Sequence, residues 1–289
     1  MTAPTQSQDA RRLAPPRVEH VLAAVDGSAD SSVALRYAAE IARAFGGRVR
    51  ALFVKDVKML ASTALAALPS LGERLEAAVA AEADEALGRA RDVCGRLGVP
   101  FETEAVRGVV PLVLVEAAAR ADLVAMGRWG DHALWATGLL GSAVECVVRK
   151  VQRPVLVCSG THEPARRVLV AHDGSERARS ALFLGAAVAS ACGLPLALLH
   201  VEGRDAGAAD RATAILRGAA ADLEAHFPGL AREDLLHGGV PAPEIAAEAD
   251  PRTLTFMGAY GHSPMRELIL GSVTEEVMRR ARGPVVLCR

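Results

Sequence analysis

The chain has 289 residues, 51% of them apolar and 3% aromatic, with a formal net charge of −1; that allows two domains with aliphatic cores and excludes a polyanion partner such as nucleic acid. Lys occurs only at Lys55, Lys58 and Lys150, and the abundant Arg residues are scattered among acids, which is coding bias and not a basic binding surface. Five cysteines, odd in number and without a C-x-x-C pair, exclude a disulfide framework and fit a reducing cytoplasm; no apolar run reaches the 18 residues of a membrane span.

Residues 1–17, "MTAPTQSQDARRLAPPR", carry two adjacent Arg with no apolar stretch behind them, so a disordered polar tail is expected and not a signal peptide. A first strand is expected over Val18–Val25, then a helix with Val33, Tyr37, Ile41 and Phe45 at four-residue spacing, closed by Gly46. A strand at Val49–Val54, a long Ala-rich helix ending near Leu97, a strand at Glu102–Val106 and a short helix from Pro111 follow. The first unit ends with a strand at Leu123–Met126, a helix from Ser142 and a strand at Val155–Cys158. After a linker at Ser159–Arg166 the series returns, with strands at Val168–Ala171, Leu196–Val201, Asp234–His237, Leu254–Met257 and Val285–Cys288. The matching helices carry Leu184, Val188 and Cys192 before Gly193, end near Phe227, start from Pro243, and start from Ser272.

The return is a sequence repeat. "VLAAVDGSADSS" from Val21 matches "VLVAHDGSERAR" from Val168 at an offset of 147, and "LVAMGRWG" from Leu123 matches "LTFMGAYG" from Leu254 at 131. The offset falls by 16 because the first copy has a longer middle, and by one more inside the glycine motif. A period this long means duplicated domains. Strand–helix alternation with short apolar strands gives an α/β fold. Two tandem doubly wound, flavodoxin-like parallel five-stranded domains are expected over 18–160 and 165–289, related by a pseudo-two-fold axis. "PVLVC" and "PVVLC" are the last strands of their units and so its edges; an exposed apolar edge needs cover, and the other copy's fifth strand is the nearest supply.

Ligands of open parallel sheets sit beyond the carboxyl ends of the strands, where strand order reverses. Asp26 and Asp173 follow first strands, and Met126-Gly127 and Met257-Gly258 end fourth strands. Gly258 and Gly261 let backbone approach a ligand closely, and Gly271-Ser272 opens a helix whose free N–H groups suit a phosphate. The bland alternative explains the same residues: Ser142-x-x-Glu145 and Ser272-x-x-Glu275 are capping boxes, Asp-Gly is a turn, and Ser28, Asp30 or Ser175 caps the next helix. Spacing alone leaves both readings open.

Asp-Gly-Ser after the first strand, M-G-x-x-G-x(9)-G-S-V and the terminal "PVVLC" together resemble the universal stress protein family in its tandem form, over nearly all of Val18–Arg289. In that family the glycine motif marks members that bind ATP, with or without Mg2+. The resemblance implies that Asp173 meets adenine or ribose and Val201 flanks the base, while Met257, Gly258, Gly261, Gly271, Ser272 and Val273 line ribose and phosphates. It also implies pairing of the two copies through their fifth strands, with a homodimer of such chains as a further option. In the first copy Asp26, Val54, Met126, Gly127, Gly130, Gly141 and Ser142 match. There the gap to Gly141-Ser142 is ten residues instead of nine, and Ala143 stands in place of Val. One tight nucleotide site, in the second copy, is therefore expected. Gly138 is placed to absorb the extra residue, and Trp129 and Trp135 are read as packing.

No Lys follows a Gly as a P-loop requires, no G-x-S-x-G or G-x-G-x-x-G stands after a strand, and the eight His show no paired ligand spacing. His172 and His200 are read as wall or core residues. An ATP pyrophosphatase-type AMP-forming enzyme is the enzymatic alternative, since its S-G-G-x-D-S loop is partly echoed from Asp26 to Ser31. The echo is lost in the second copy. A nucleotide-free interaction module is the third reading. The expectation taken forward is an adenine-nucleotide-binding stress-response regulator with no committed reaction and at most slow ATP hydrolysis.

Overall fold

The computed structural model describes residues 15–57, 69–130, 141–203, 207–259 and 271–289. Its first half runs β1 (His20–Ala24), α1 (Ala29–Phe45), β2 (Arg48–Asp56), α2 (Pro69–Leu97), β3 (Phe101–Gly108), α3 (Val110–Ala118), β4 (Leu123–Gly127), α4 (Ser142–Lys150) and β5 (Val155–Cys158). The second half repeats the series: β6 (Arg167–Ala171), α5 (Glu176–Cys192), β7 (Leu196–Glu202), α6 (Ala208–His226), β8 (Arg232–Gly238), α7 (Pro241–Glu248), β9 (Thr253–Gly258), α8 (Ser272–Arg280) and β10 (Val285–Cys288).

The apolar stripe that predicted α1 is its buried face: Val33, Tyr37 and Ile41 are all buried, as are Leu184 and Val188 on α5. Both helices stop at a glycine in the left-handed region, Gly46 at φ 66° and Gly193 at φ 65°. Of the sixteen residues by which the first copy's middle is longer, ten lie in α2, which has 29 residues against 19 in α6. The short helix placed at Pro243 starts earlier, at Pro241, because proline fits the first turn, where no N–H is needed.

Ten strands form one sheet in the order β3-β2-β1-β4-β5-β10-β9-β6-β7-β8. Pairs inside each half are parallel, as two halves of doubly wound topology require. Each half reads 3-2-1-4-5, so strand order reverses between its first and fourth strands, where flavodoxin itself reverses between first and third. The crevice expected between strands one and four is therefore the one the topology opens.

The halves join at β5 and β10, the only antiparallel pair among the described strands, with Leu156 opposite Val286 at the centre of the register. All eight residues of the two strands are buried. This covers both apolar edges at once and sets the pseudo-two-fold axis beside Leu156 and Val286. The linker is fastened across the seam: the Tyr37 hydroxyl donates to the Glu163 carbonyl at 2.6 Å, and Arg252 pairs with Glu163 at 2.6 Å. Burial holds the Tyr37 phenol well above its ordinary pKa, so it stays a donor.

Candidate nucleotide site

In the second half β6 runs into His172-Asp173-Gly174-Ser175. Gly174 takes φ +86°, a conformation that costs other residues strain, and this turns the chain sharply into α5. Asp173 Oδ1 accepts from the Ser175 N–H at 2.9 Å, and Ser175 Oγ accepts from the Ala178 N–H at 3.2 Å. Ser175 is thus the helix cap, and so is Ser28 in the first half, where its Oγ accepts from the Ser31 N–H at 3.1 Å. For these two serines the bland alternative holds.

The capping-box reading of the later serines does not hold. The N-cap of α8 is Gly271 and that of α4 is Gly141, which places Ser272 and Ser142 one residue inside their helices. The first intrahelical bonds run from the Glu275 N–H to the Gly271 carbonyl at 2.9 Å and from the Glu145 N–H to the Gly141 carbonyl at 3.1 Å. A glycine has no side chain with which to cap, and among the described residues neither helix has a side-chain cap. Among the described residues no side chain takes up their first-turn N–H groups, an arrangement that suits an anion.

β9 brings Met257 and Gly258 to the same place. A Cβ on Gly258 would lie 2.9 Å from the Ala178 nitrogen and 3.0 Å from Arg177 Cβ, so only glycine lets the strand end pass against the start of α5. The result is a cavity of about 210 Å³ at the switch between β6 and β9. Asp173, Val201, Met257, Gly258, Gly271, Ser272 and Val273, all singled out from the sequence, line it. Gly261 lies outside the described residues. Sequence reading missed Pro241 and Ile245, which close the cavity from α7. Their signal was faint: a short Pro-Ala-Pro helix start, with Ile245 one turn along.

His172 and His200 are wall residues, as expected, both buried and both lining the cavity. The His172 Nδ1 accepts from the Gly174 N–H at 3.1 Å, and the His200 Nδ1 donates to the His172 carbonyl at 2.7 Å. Burial lowers the His172 pKa, with Asp173 opposing. Its folded pKa therefore lies below its unfolded value near 6.5, and the unfolded chain binds the extra proton first. Stability is full above about pH 6.5 and falls on acidification through that value towards the folded pKa. Urea titrations of wild type and His172→Asn from pH 8 to pH 5 check this. The variant loses less stability than the wild type over that range, and equal losses would show that His172 stays neutral for no energetic reason.

In the first half the corresponding groups also converge. Asp26 Oδ1 accepts from the Ser28 N–H at 3.1 Å and from its hydroxyl at 2.6 Å. Met126 is buried, Val54 half-buried, and Gly127 packs against α1 much as Gly258 packs against α5. A Cβ on Gly130 would sit 2.8 Å from Asp26 Oδ2, and the Gly141 N–H donates to the Arg128 carbonyl at 3.1 Å. Ser142 opens α4. Trp135, Gly138 and the stretches that differ by one residue lie outside the described residues. Two side chains here take roles that were not foreseen. Arg128 is buried and donates across the seam to the Ala281 carbonyl at 2.9 Å, with burial lowering its pKa. The Asp30 carboxylate accepts from the Trp129 N–H at 3.3 Å and the Gly160 N–H at 3.0 Å.

Among the described residues no group of three or more His, Cys, Asp and Glu is placed to hold a metal ion, and no helix is long and apolar enough to cross a membrane. The model of the universal stress protein family matches residues 17–159 and again 164–289. The chain belongs to the universal stress protein family. It carries the family unit twice, as the repeat and the pseudo-two-fold imply. A universal stress protein of Synechocystis is 28% identical, over 94% of this chain and 100% of the relative. Another, of Mycolicibacterium smegmatis, is 26% identical over 93% of this chain and 96% of its own length. The crystal structure of a universal stress protein from Archaeoglobus fulgidus matches at a TM-score of 0.72 and 24% identity, over 94% of this chain and 98% of that one, and so shares the fold. In this universal stress protein the cavity of about 210 Å³ belongs to the second family unit.

Proposed function

We propose that this tandem universal stress protein binds an adenine nucleotide, ATP with or without Mg2+, as a stress-response regulator, and that its tight site is the crevice of the second half. One observation carries the reading: the cavity between β6 and β9 opens on the start of α8, whose cap is a glycine and whose first-turn N–H groups have no side-chain acceptor among the described residues. An apolar floor of Val201, Ile245 and Met257 suits a purine, and the Asp173 carboxylate suits a ribose hydroxyl or an amino group. The helix terminus suits phosphate. A purine, a hydroxyl and a phosphate in that order make a nucleotide.

No committed reaction is assigned. Among the described residues lining the cavity, Asp173 holds its own turn and the two imidazoles bond backbone through Nδ1, and no step of phosphoryl transfer is assigned to them. A reducing cytoplasm suits the five free thiols. Folding units of 18–160 and 165–289 behind a tail of 1–17 suit the seam.

Calorimetry with ATP and GTP on the full chain tests the reading, together with analysis of any nucleotide released on denaturing freshly purified protein. ATP is expected to bind about tenfold or more tighter than GTP, the scale of one discriminating hydrogen bond. Equal affinities would remove the adenine assignment. No heat with either at millimolar concentration would return the glycines to helix capping and leave an interaction module.

A further inference from the structure

The repeat supplies its own control on two buried side chains. At the offset of 147, His172 stands where the first half has Val25, and His200 stands where it has Phe53. The backbone is the same in both halves: the Val25 N–H donates to the Leu52 carbonyl at 3.0 Å, and the His172 N–H to the Leu199 carbonyl at 2.8 Å. The first half therefore closes this part of the fold with apolar groups alone. Two buried imidazoles in the same place each need a hydrogen bond, so what they bond is informative.

They bond the turn that carries Asp173. The His200 Nδ1 donates to the His172 carbonyl at 2.7 Å, so residue 172 is pinned to β7 through both its N–H and its C=O. From there its ring reaches forward: Nδ1 accepts from the Gly174 N–H at 3.1 Å, and Asp173 Oδ1 accepts from the Ser175 N–H at 2.9 Å. Two side chains in succession each take an N–H two residues on, the bond of an Asx-turn, and Gly174 between them holds φ +86°. Val25 has no atom that can accept; there the Gly27 carbonyl takes a bond from Arg89 on α2 at 3.0 Å. A neutral imidazole accepts only through the nitrogen without the proton, so the bond to Gly174 puts the His172 proton on Nε2. A second proton would turn Nδ1 into a donor facing a donor, and the bond must break.

We propose that His172 is a positioning residue for the second crevice: its neutral ring holds the Asp173-Gly174 turn, and with it the Asp173 carboxylate, where a nucleotide meets it. The inference rests on the adenine-nucleotide reading above and adds to it a dependence on pH that Val25 cannot give the first half. The charged and titratable groups around the ring are Asp173 in the turn, His200 on β7, Arg179 on α5 and Asp222 on α6. The last two are paired with each other at 2.9 Å. Burial outweighs the nearby Asp173 and keeps the ring neutral at neutral pH.

The test titrates ATP into the full chain in steps from pH 8 to pH 5, for wild type, His172→Asn and His172→Val. Asparagine sets Oδ1 where Nδ1 stood and accepts the same N–H without titrating; valine is what the first half carries. Wild type binds ATP with full affinity above about pH 6.5 and loses about tenfold as the ring takes up a proton, the scale of one hydrogen bond. His172→Asn stays within about threefold of wild type at pH 8 and loses less on acidification, since protonation of ATP and of every other group is common to both proteins. His172→Val binds about tenfold more weakly at pH 8 while circular dichroism shows it folded. Should the valine variant not fold, the asparagine comparison decides alone. The inference is overturned if His172→Asn follows the wild-type pH curve, if His172→Val matches wild type at pH 8, or if acid tightens ATP in the wild type alone, the sign of an imidazolium drawing in phosphate. A wild type that binds no ATP at any pH would remove the nucleotide reading itself, and this inference with it.

Discussion

Leu156→Asp is expected to unfold the chain, or to leave it folded only by a margin too small to survive mild denaturant. Leu156 is 0% exposed and faces Val286, also 0% exposed, at the centre of the β5–β10 register. Removing the side chain costs about 2–5 kcal/mol, as Leu→Ala does at core sites. An unpaired carboxylate left there costs roughly 3–5 kcal/mol more. The sum approaches the roughly 5–15 kcal/mol that holds a typical domain together. The same change on β8 is the control: Leu236 is 46% exposed on the outermost strand, and Leu236→Asp should stay within about 0.5 kcal/mol of wild type. Urea unfolding of both variants measures this. A Leu156→Asp protein with a wild-type midpoint would mean that the two halves do not depend on their shared seam.

The reason for so large an effect is also the reason the seam was legible. Four apolar residues at the end of a unit have no helix after them and, beyond the fourth strand on one side, no second partner inside their own half, so the repeat itself supplies the cover. Strand and helix positions were readable for a similar reason, because burial on one face or two leaves a period in the sequence. Helix caps were less so. Gly141-Ser142 and Gly271-Ser272 each offer two candidates for the cap, and a backbone near φ −58°, ψ 142° at the glycine moves the serine one place inward. No side-chain pattern distinguishes those registers. Nor does any local rule join Arg128 to Ala281, 153 residues away in the other half. That pairing follows from the way the two halves meet at β5 and β10. Strand alternation implies a crevice but does not say which two strands border it; the hydrogen-bonded order does.

Gly258→Ala should remove tight ATP binding, and Gly127→Ala should not. The two substitutions are matched insults. Each adds one methyl group to the last residue of a fourth strand, and each methyl meets the first turn of a helix: at 2.9 Å from the Ala178 nitrogen in one case and 2.7 Å from the Ser31 nitrogen in the other. The strand end and the helix start must part by several tenths of an ångström, and overpacking of this kind costs about 1–3 kcal/mol of stability at either position. Loss of stability therefore does not separate them. Nucleotide affinity does, if the tight site is the one that Gly258 lines. The parted backbone there moves Asp173 and Met257 relative to the start of α8, and each charged hydrogen bond lost costs about 1.5–3 kcal/mol, or tenfold and upward in affinity. The expected result is similar melting temperatures for the two variants without ligand, with ATP raising that of Gly127→Ala as it does in wild type and leaving that of Gly258→Ala unmoved. Thermal shift and equilibrium dialysis on the same preparations decide it. Should Gly127→Ala lose the nucleotide and Gly258→Ala keep it, the tight site belongs to the first half, and the second-half cavity is a packing feature around an uncapped helix.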